Sequence, residues 1–106
     1  MNVCKNEISD AVEAELVAAN EKYPPFASLH EAYAVVKEEF EEAKVEIDEY
    51  KKLMDDFWNC IKDDDIRGAL ELTAKMKHTG IRLAMEASQM AAMAIKAEQS
   101  IVNKMD

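Results

Sequence analysis

From Ser28 to Ile61 the chain contains neither proline nor glycine. Within that stretch Leu29, Tyr33, Val36, Phe40, Ala43, Ile47, Tyr50, Met54, Phe57 and Ile61 recur in alternating steps of four and three. A helix gathers such spacing into one apolar seam; an extended strand scatters it over both faces. The boundaries agree. Tyr23-Pro24-Pro25-Phe26 is a break, because proline cannot continue a helix and restricts the residue before it. Ser28 with Glu31 three residues on forms a capping box, with Phe26 or Ala27 in place to staple it. At 1.5 Å per residue this helix is roughly 50 Å long. A compact chain of this length has a radius of gyration of only about 13 Å. Either the molecule is an elongated bundle or other copies cover the seam; a homo-oligomer of helical hairpins is the expectation.

The remaining sequence is also helical in character, with two glycines and two prolines in all. Asn2 to Tyr23 reads as a first helix with Ile8, Val12, Leu16 and Ala19 on one face. Asp63-Asp64-Asp65 reads as an acidic turn that caps the next helix; it lacks the glycine and distal glutamate of a calcium loop. Ile66 to Met105 reads as a further helix, with Thr79-Gly80 marking a kink, a division or a close approach of another helix. The expected architecture is all-α: one domain over 1–106, with an N-terminal helix and Pro-Pro turn in 1–27 and a long antiparallel helical hairpin in 28–105.

A net charge of −9 argues against direct nucleic-acid binding, which needs a basic surface. A nucleotide would need a cation between it and such a chain. Cys4 and Cys60 make neither a disulfide framework nor a metal-ligand spacing. No signal-peptide pattern opens the chain, and Ala87 to Ile95, the longest uncharged run late in it, is too short to span a bilayer. A soluble cytoplasmic protein, not a membrane one, is expected.

Beside the seam runs a second stripe, Val35, Glu39, Glu42, Glu46, Glu49 and Leu53, apolar at both ends and acidic between. One reading is a solvated helix face. Glu41 with Lys44 and Asp48 with Lys52 have the spacing of ordinary exposed pairs, but in the stripe only Glu49 has a basic neighbour, Lys52. The other reading is a metal site, since self-repelling carboxylates are held together most easily by a cation. In the following helix Glu86 is the only charge between Leu83 and Ile95. A helix apolar all round is buried, with Met85, Met90 and Met93 as core fillers, and a buried charge must be paired, coordinated or neutralised. Arg82, one turn before, offers a local salt bridge. Alternatively, folding the two helices antiparallel about the acidic turn sets Glu39 and Glu42 opposite Glu86 and Gln89. Those hard oxygen ligands suit Mg²⁺ or Mn²⁺, which would in turn bridge to the phosphates of a nucleoside triphosphate.

Glu38-Glu39-Phe40-Glu41-Glu42 forms a Glu-Glu-x-x-Glu motif, and Glu86-x-x-Gln89 follows it. With His30 to Val35 before and Glu86 to Ala94 after, the chain resembles the MazG-like all-α nucleotide pyrophosphohydrolases, in particular the small proteins of phages and their bacterial hosts. The resemblance covers roughly residues 28 to 98. It implies Mg²⁺-dependent hydrolysis of nucleoside triphosphates to monophosphate and pyrophosphate by a homodimer or homotetramer. It also implies Glu39, Glu42 and Glu86 as metal ligands and Glu38, Gln89 and Lys96 on the substrate, with Lys96 toward phosphate; no catalytic residue is assigned. Gln89 stands where the family has Asp, and the 43 residues between Glu42 and Glu86 exceed the usual separation. The chain's Glu-x-x-Asp, Glu7 to Asp10, precedes the acidic motif.

Other candidates read as structural. His30 lies in the first turn of the long helix, and Trp58 adjoins the seam for core or oligomer packing. The rival function is a non-enzymatic helical homo-oligomer or adaptor, a MazG-like relative without turnover, whose acidic stripe meets a partner instead of a metal.

Overall fold

The computed structural model describes residues 4–105. Three helices account for most of them: α1 (Lys5–Lys22), α2 (Leu29–Lys62) and α3 (Ile66–Val102). The described residues contain no strand. Asn2 of the expected first helix lies outside the described residues, and α3 ends at Val102 instead of Met105. There its backbone closes in turn bonds through Asn103 and Lys104.

The caps follow from the sequence. Ser28 accepts the Glu31 backbone N–H at 3.1 Å and starts α2. Asp65 accepts the Gly68 N–H at 2.9 Å and starts α3. Between these helices Asp64 takes a left-handed conformation, φ 54°, which a short polar side chain tolerates. A Cβ at 68 would run into the capping carboxylate of Asp65 and crowd the Cys60 sulfur, so a larger residue there has to displace the cap. Gly80 does not divide α3; it lies opposite Tyr50, whose ring edge is 4.0 Å from where a Cβ would stand.

α3 packs against α2. Glu46 meets Arg82, and one turn farther from the connection Glu42 meets Glu86. α1 packs on α3. The result is elongated, 64 × 29 × 23 Å with a radius of gyration of 18.1 Å, against about 13 Å for a compact chain of this length.

Burial divides the α2 seam lengthwise. Ala43 is buried, and Val36, Tyr50 and Phe57 are half-buried. Tyr33, Phe40, Ile47, Met54 and Ile61 are half or more exposed, as is Trp58, which therefore lies outside the core of the single chain. The apolar α3 stretch is likewise open on one side: Ala92 is fully buried, but Met85 is 59% exposed and is no core filler here. On α1, Val12 is buried and Ile8 is exposed, so the expected apolar face is shorter than its sequence pattern.

Phe26 is buried, and its backbone is tied to α3. Its N–H donates to Ser100 Oγ at 3.0 Å, Lys104 Nζ donates to the Ala27 carbonyl at 2.9 Å, and Lys96 Nζ approaches the Tyr23 carbonyl at 3.4 Å. Lys96 and Ser100 on α3 and Lys104 just beyond its end are four residues apart, so one row fastens the proline-broken link. Ser100→Ala should leave the buried Phe26 N–H unsatisfied and cost about 1–3 kcal/mol. The measurement is a thermal melt, with a fall of about 4–8 °C per kcal/mol expected for a chain of this size.

Candidate metal centre

Small side chains set the site. Ala32 and Ala43 on α2 and Ala92 on α3 are buried, and small residues let helix axes approach toward the close end of the usual 8–10 Å range. Beside them, Glu39 and Glu42 on α2 and Glu86 on α3 each place one carboxylate oxygen within 4.8 Å of the others. Glu39 and Glu86 are half-buried and Glu42 is exposed. The Oε2 atoms of Glu39 and Glu86 are both shielded from solvent and accept no hydrogen bond.

The local partner that sequence offers Glu86 is engaged elsewhere. Arg82 Nε donates to Glu46 at 3.1 Å, and its Nη2 donates to Thr79 Oγ1 at 3.0 Å. Among the described residues the other ion pair is Lys37 with Glu41, at 3.8 Å. Thus Glu41 reaches back to Lys37 and not forward to Lys44, and Asp48 with Lys52 does not close. Of the stripe, Glu46 is neutralised by Arg82, while Glu39 and Glu42 share their space with Glu86.

That crowding governs protonation. Burial raises the Glu39 pKa above its ordinary value, and the charges of Glu42, Glu86 and Glu38 raise it further. Burial also raises Glu86, followed by Glu42 and then Glu46. In the native chain both carboxyls therefore hold protons more firmly than they do unfolded. The resulting cost to stability is absent below the ordinary glutamate value of 4.5 and grows as pH rises above it. It is complete once pH exceeds the raised native values. Accordingly, raising the pH of the metal-free chain from about 4.5 to neutrality should lower its melting temperature more than that of Glu86→Gln, which lacks one titrating member. Parallel melts across that range check it; equal slopes would show that the cluster does not titrate as a unit.

The donor set fits a hard divalent cation. Ligands on opposite sides of Mg²⁺ lie about 4.2 Å apart when each bond is about 2.1 Å. Three ligands on one ion span at most that distance, so a carboxylate triangle of up to 4.8 Å has to contract to hold it. Cys60 adds no soft ligand or nucleophile. Burial, then Asp65, Asp56 and Asp63, push its thiol pKa up, which disfavours the reactive thiolate.

The other sequence-derived residues lie in a cleft of about 630 Å³ that opens from this cluster under α1. Glu38, Glu39 and Gln89 line it, as do Tyr23, Phe26 and Lys96. Lys96 is only 3% exposed. Ten residues beyond Glu86 on the same helix, it lies roughly 15 Å along the axis. His30 is exposed and outside this lining. Glu49 belongs to a separate cleft of about 430 Å³ with Lys75, His78 and Arg82. Sequence reading missed Lys75, His78, Tyr23 and Phe26 as site-adjacent residues. The i, i+3, i+7 spacing of Lys75, His78 and Arg82 was a usable signal for the first pair; the last two depend on how the Pro-Pro link folds back.

Searches against family models, curated proteins and solved structures each returned no match. No helix among the described residues is long and apolar enough to cross a membrane.

Proposed function

We propose that this chain is a Mg²⁺- or Mn²⁺-dependent nucleoside triphosphate pyrophosphohydrolase of MazG-like type, releasing a nucleoside monophosphate and pyrophosphate. The observation that carries the reading is the triad of Glu39, Glu42 and Glu86 with two shielded, partnerless oxygens. Desolvated carboxylates that lack partners are costly, and a cation is the partner their chemistry suits. When bound, such an ion supplies charge neutralisation on the polyphosphate and an activated water. In this reading Glu39, Glu42 and Glu86 hold the metal. The neutral Gln89 lowers the charge of the ligand set where the resembling family has Asp, and with Glu38 it lines the way to the substrate cleft. The test is product analysis with Mg²⁺ or Mn²⁺. The wild type should yield monophosphate and pyrophosphate, and Glu42→Gln should lose more than about 100-fold in rate, since even partners of metal ligands are worth 10–100-fold. Unchanged turnover in that variant removes the assignment.

The same proposal includes an antiparallel α2–α3 hairpin assembled as a homodimer or homotetramer in the cytoplasm. The open half of the α2 seam supports assembly, because monomers rarely expose so continuous an apolar row. The unpaired Cys4 and Cys60 accord with a reducing compartment. That exposed row also favours a second reading, a non-enzymatic homo-oligomer. Assembly without divalent-ion binding or turnover would select it.

A further inference from the structure

We propose that the cleft under α1 is a nucleobase subsite in which the Lys96 ammonium donates a hydrogen bond to a base carbonyl. The inference rests on the proposed function and assigns Lys96 to the base end of a nucleotide, not its phosphates.

The ammonium is buried without a counter-charge. Lys96 is 3% exposed, and among the described residues no carboxylate oxygen lies within 4.0 Å of its Nζ. Its compensation is one long hydrogen bond to the Tyr23 carbonyl, 3.4 Å, and the rings of Phe26 and Tyr23, whose centroids are 5.1 and 6.0 Å away. An ammonium carries three donors and no acceptor, so donor capacity remains. A buried polar group in that state gains from an acceptor that arrives already stripped of water.

The lining chooses among acceptors. Val35, Ala92 and Met93 give the cleft an apolar wall, and Gln89 adds an amide that both donates and accepts. Glu15, Glu31, Glu38 and Glu39 also line it, so a bare phosphate would meet four carboxylates against Lys22 and Lys96. A flat, neutral heterocycle with a carbonyl suits these walls better. The position along α3 agrees: Lys96 lies roughly 15 Å from the level of Glu86, beyond a phosphate held at the carboxylate triad. Uracil, thymine and guanine present carbonyl acceptors, whereas adenine has no carbonyl and sets an amino donor beside its N7 acceptor, a poorer match to an ammonium. The subsite therefore selects carbonyl-bearing bases over adenine.

The test titrates the metal-free wild-type chain with uridine and, separately, adenosine, read by nuclear magnetic resonance. Uridine should give saturable shifts centred on Phe26, Ala92 and Lys96, and adenosine should bind about tenfold or more weakly, the scale of a hydrogen bond to a charged donor. Lys96→Met should erase the preference while keeping the melting shift given by Mn²⁺. Equal response to both nucleosides, no saturable response to uridine, or a preference that survives in Lys96→Met overturns the proposal. If Lys96→Met does not fold, the wild-type titrations decide. Uridine binding without any Mn²⁺ effect would leave the base subsite and remove the metal reading; the reverse would remove the subsite alone.

Discussion

Glu86→Gln should raise the melting temperature of the metal-free chain at neutral pH and abolish the further rise that saturating Mn²⁺ gives the wild type. Both halves follow from one arrangement. Without a cation, Glu86 sits beside Glu42 and Glu39 with a shielded oxygen that nothing satisfies. An amide removes one charge from that cluster and adds a donor its carboxylates can accept. With a cation, the wild-type triad is neutralised and the native state gains about 2.7 kcal/mol at 100 times the dissociation constant. For a chain of this size that corresponds to roughly 10–20 °C. The variant has lost a charged ligand and should forgo most of it. A variant that melts lower without metal would mean that Glu86 is a structural partner, and the non-enzymatic reading would take over.

Ile47→Asp should turn an assembly into single chains. Tyr33, Phe40, Ile47, Met54 and Ile61 repeat every seven residues and form a row along α2 that the single chain leaves open. Fully burying a side chain of this kind is worth about 1.5–3 kcal/mol, so the row can hold two long helices together. Ile47 is at its middle, where an aspartate would be desolvated on association with no partner. Within one chain the site is half exposed, so the helix content should persist. Sedimentation should give a multiple of 12.0 kDa for the wild type and 12.0 kDa for the variant. A wild-type mass of 12.0 kDa at micromolar concentration would end the assembly claim.

The helices were legible because their signals are local. Ser28 with Glu31, the Pro24-Pro25 break and Asp65 before Ile66 act within a few residues, and each cap is found where its side chain can reach. The meeting of Glu39 and Glu42 with Glu86 was legible because the short connection leaves little freedom in register. The division of the α2 seam was not. Val36, Ala43, Tyr50 and Phe57 alternate with Tyr33, Phe40, Ile47 and Met54 in one periodic pattern, and only the position of α3 tells which half it covers. The choice made by Arg82 was hidden for the same reason. Sequence offers it Glu86 one turn away, while packing presents Glu46 across the interface at 3.1 Å. The cleft was the least visible feature. Its far wall depends on Ser100 holding Phe26 and on Lys104 holding Ala27, contacts that join residues 74 and 77 positions apart.

A calorimetric titration with Mn²⁺ in buffers of different ionisation enthalpy decides whether the three carboxylates form a cation site. Because burial and neighbouring carboxylates raise Glu39 and Glu86 above the ordinary glutamate value, binding an ion at mildly acidic pH should displace protons. One ion per chain should bind saturably, with a heat that depends on the buffer at mildly acidic pH, and Glu86→Gln should bind it at least about tenfold more weakly. No saturable binding at millimolar Mn²⁺, or equal affinity in wild type and variant, would contradict it.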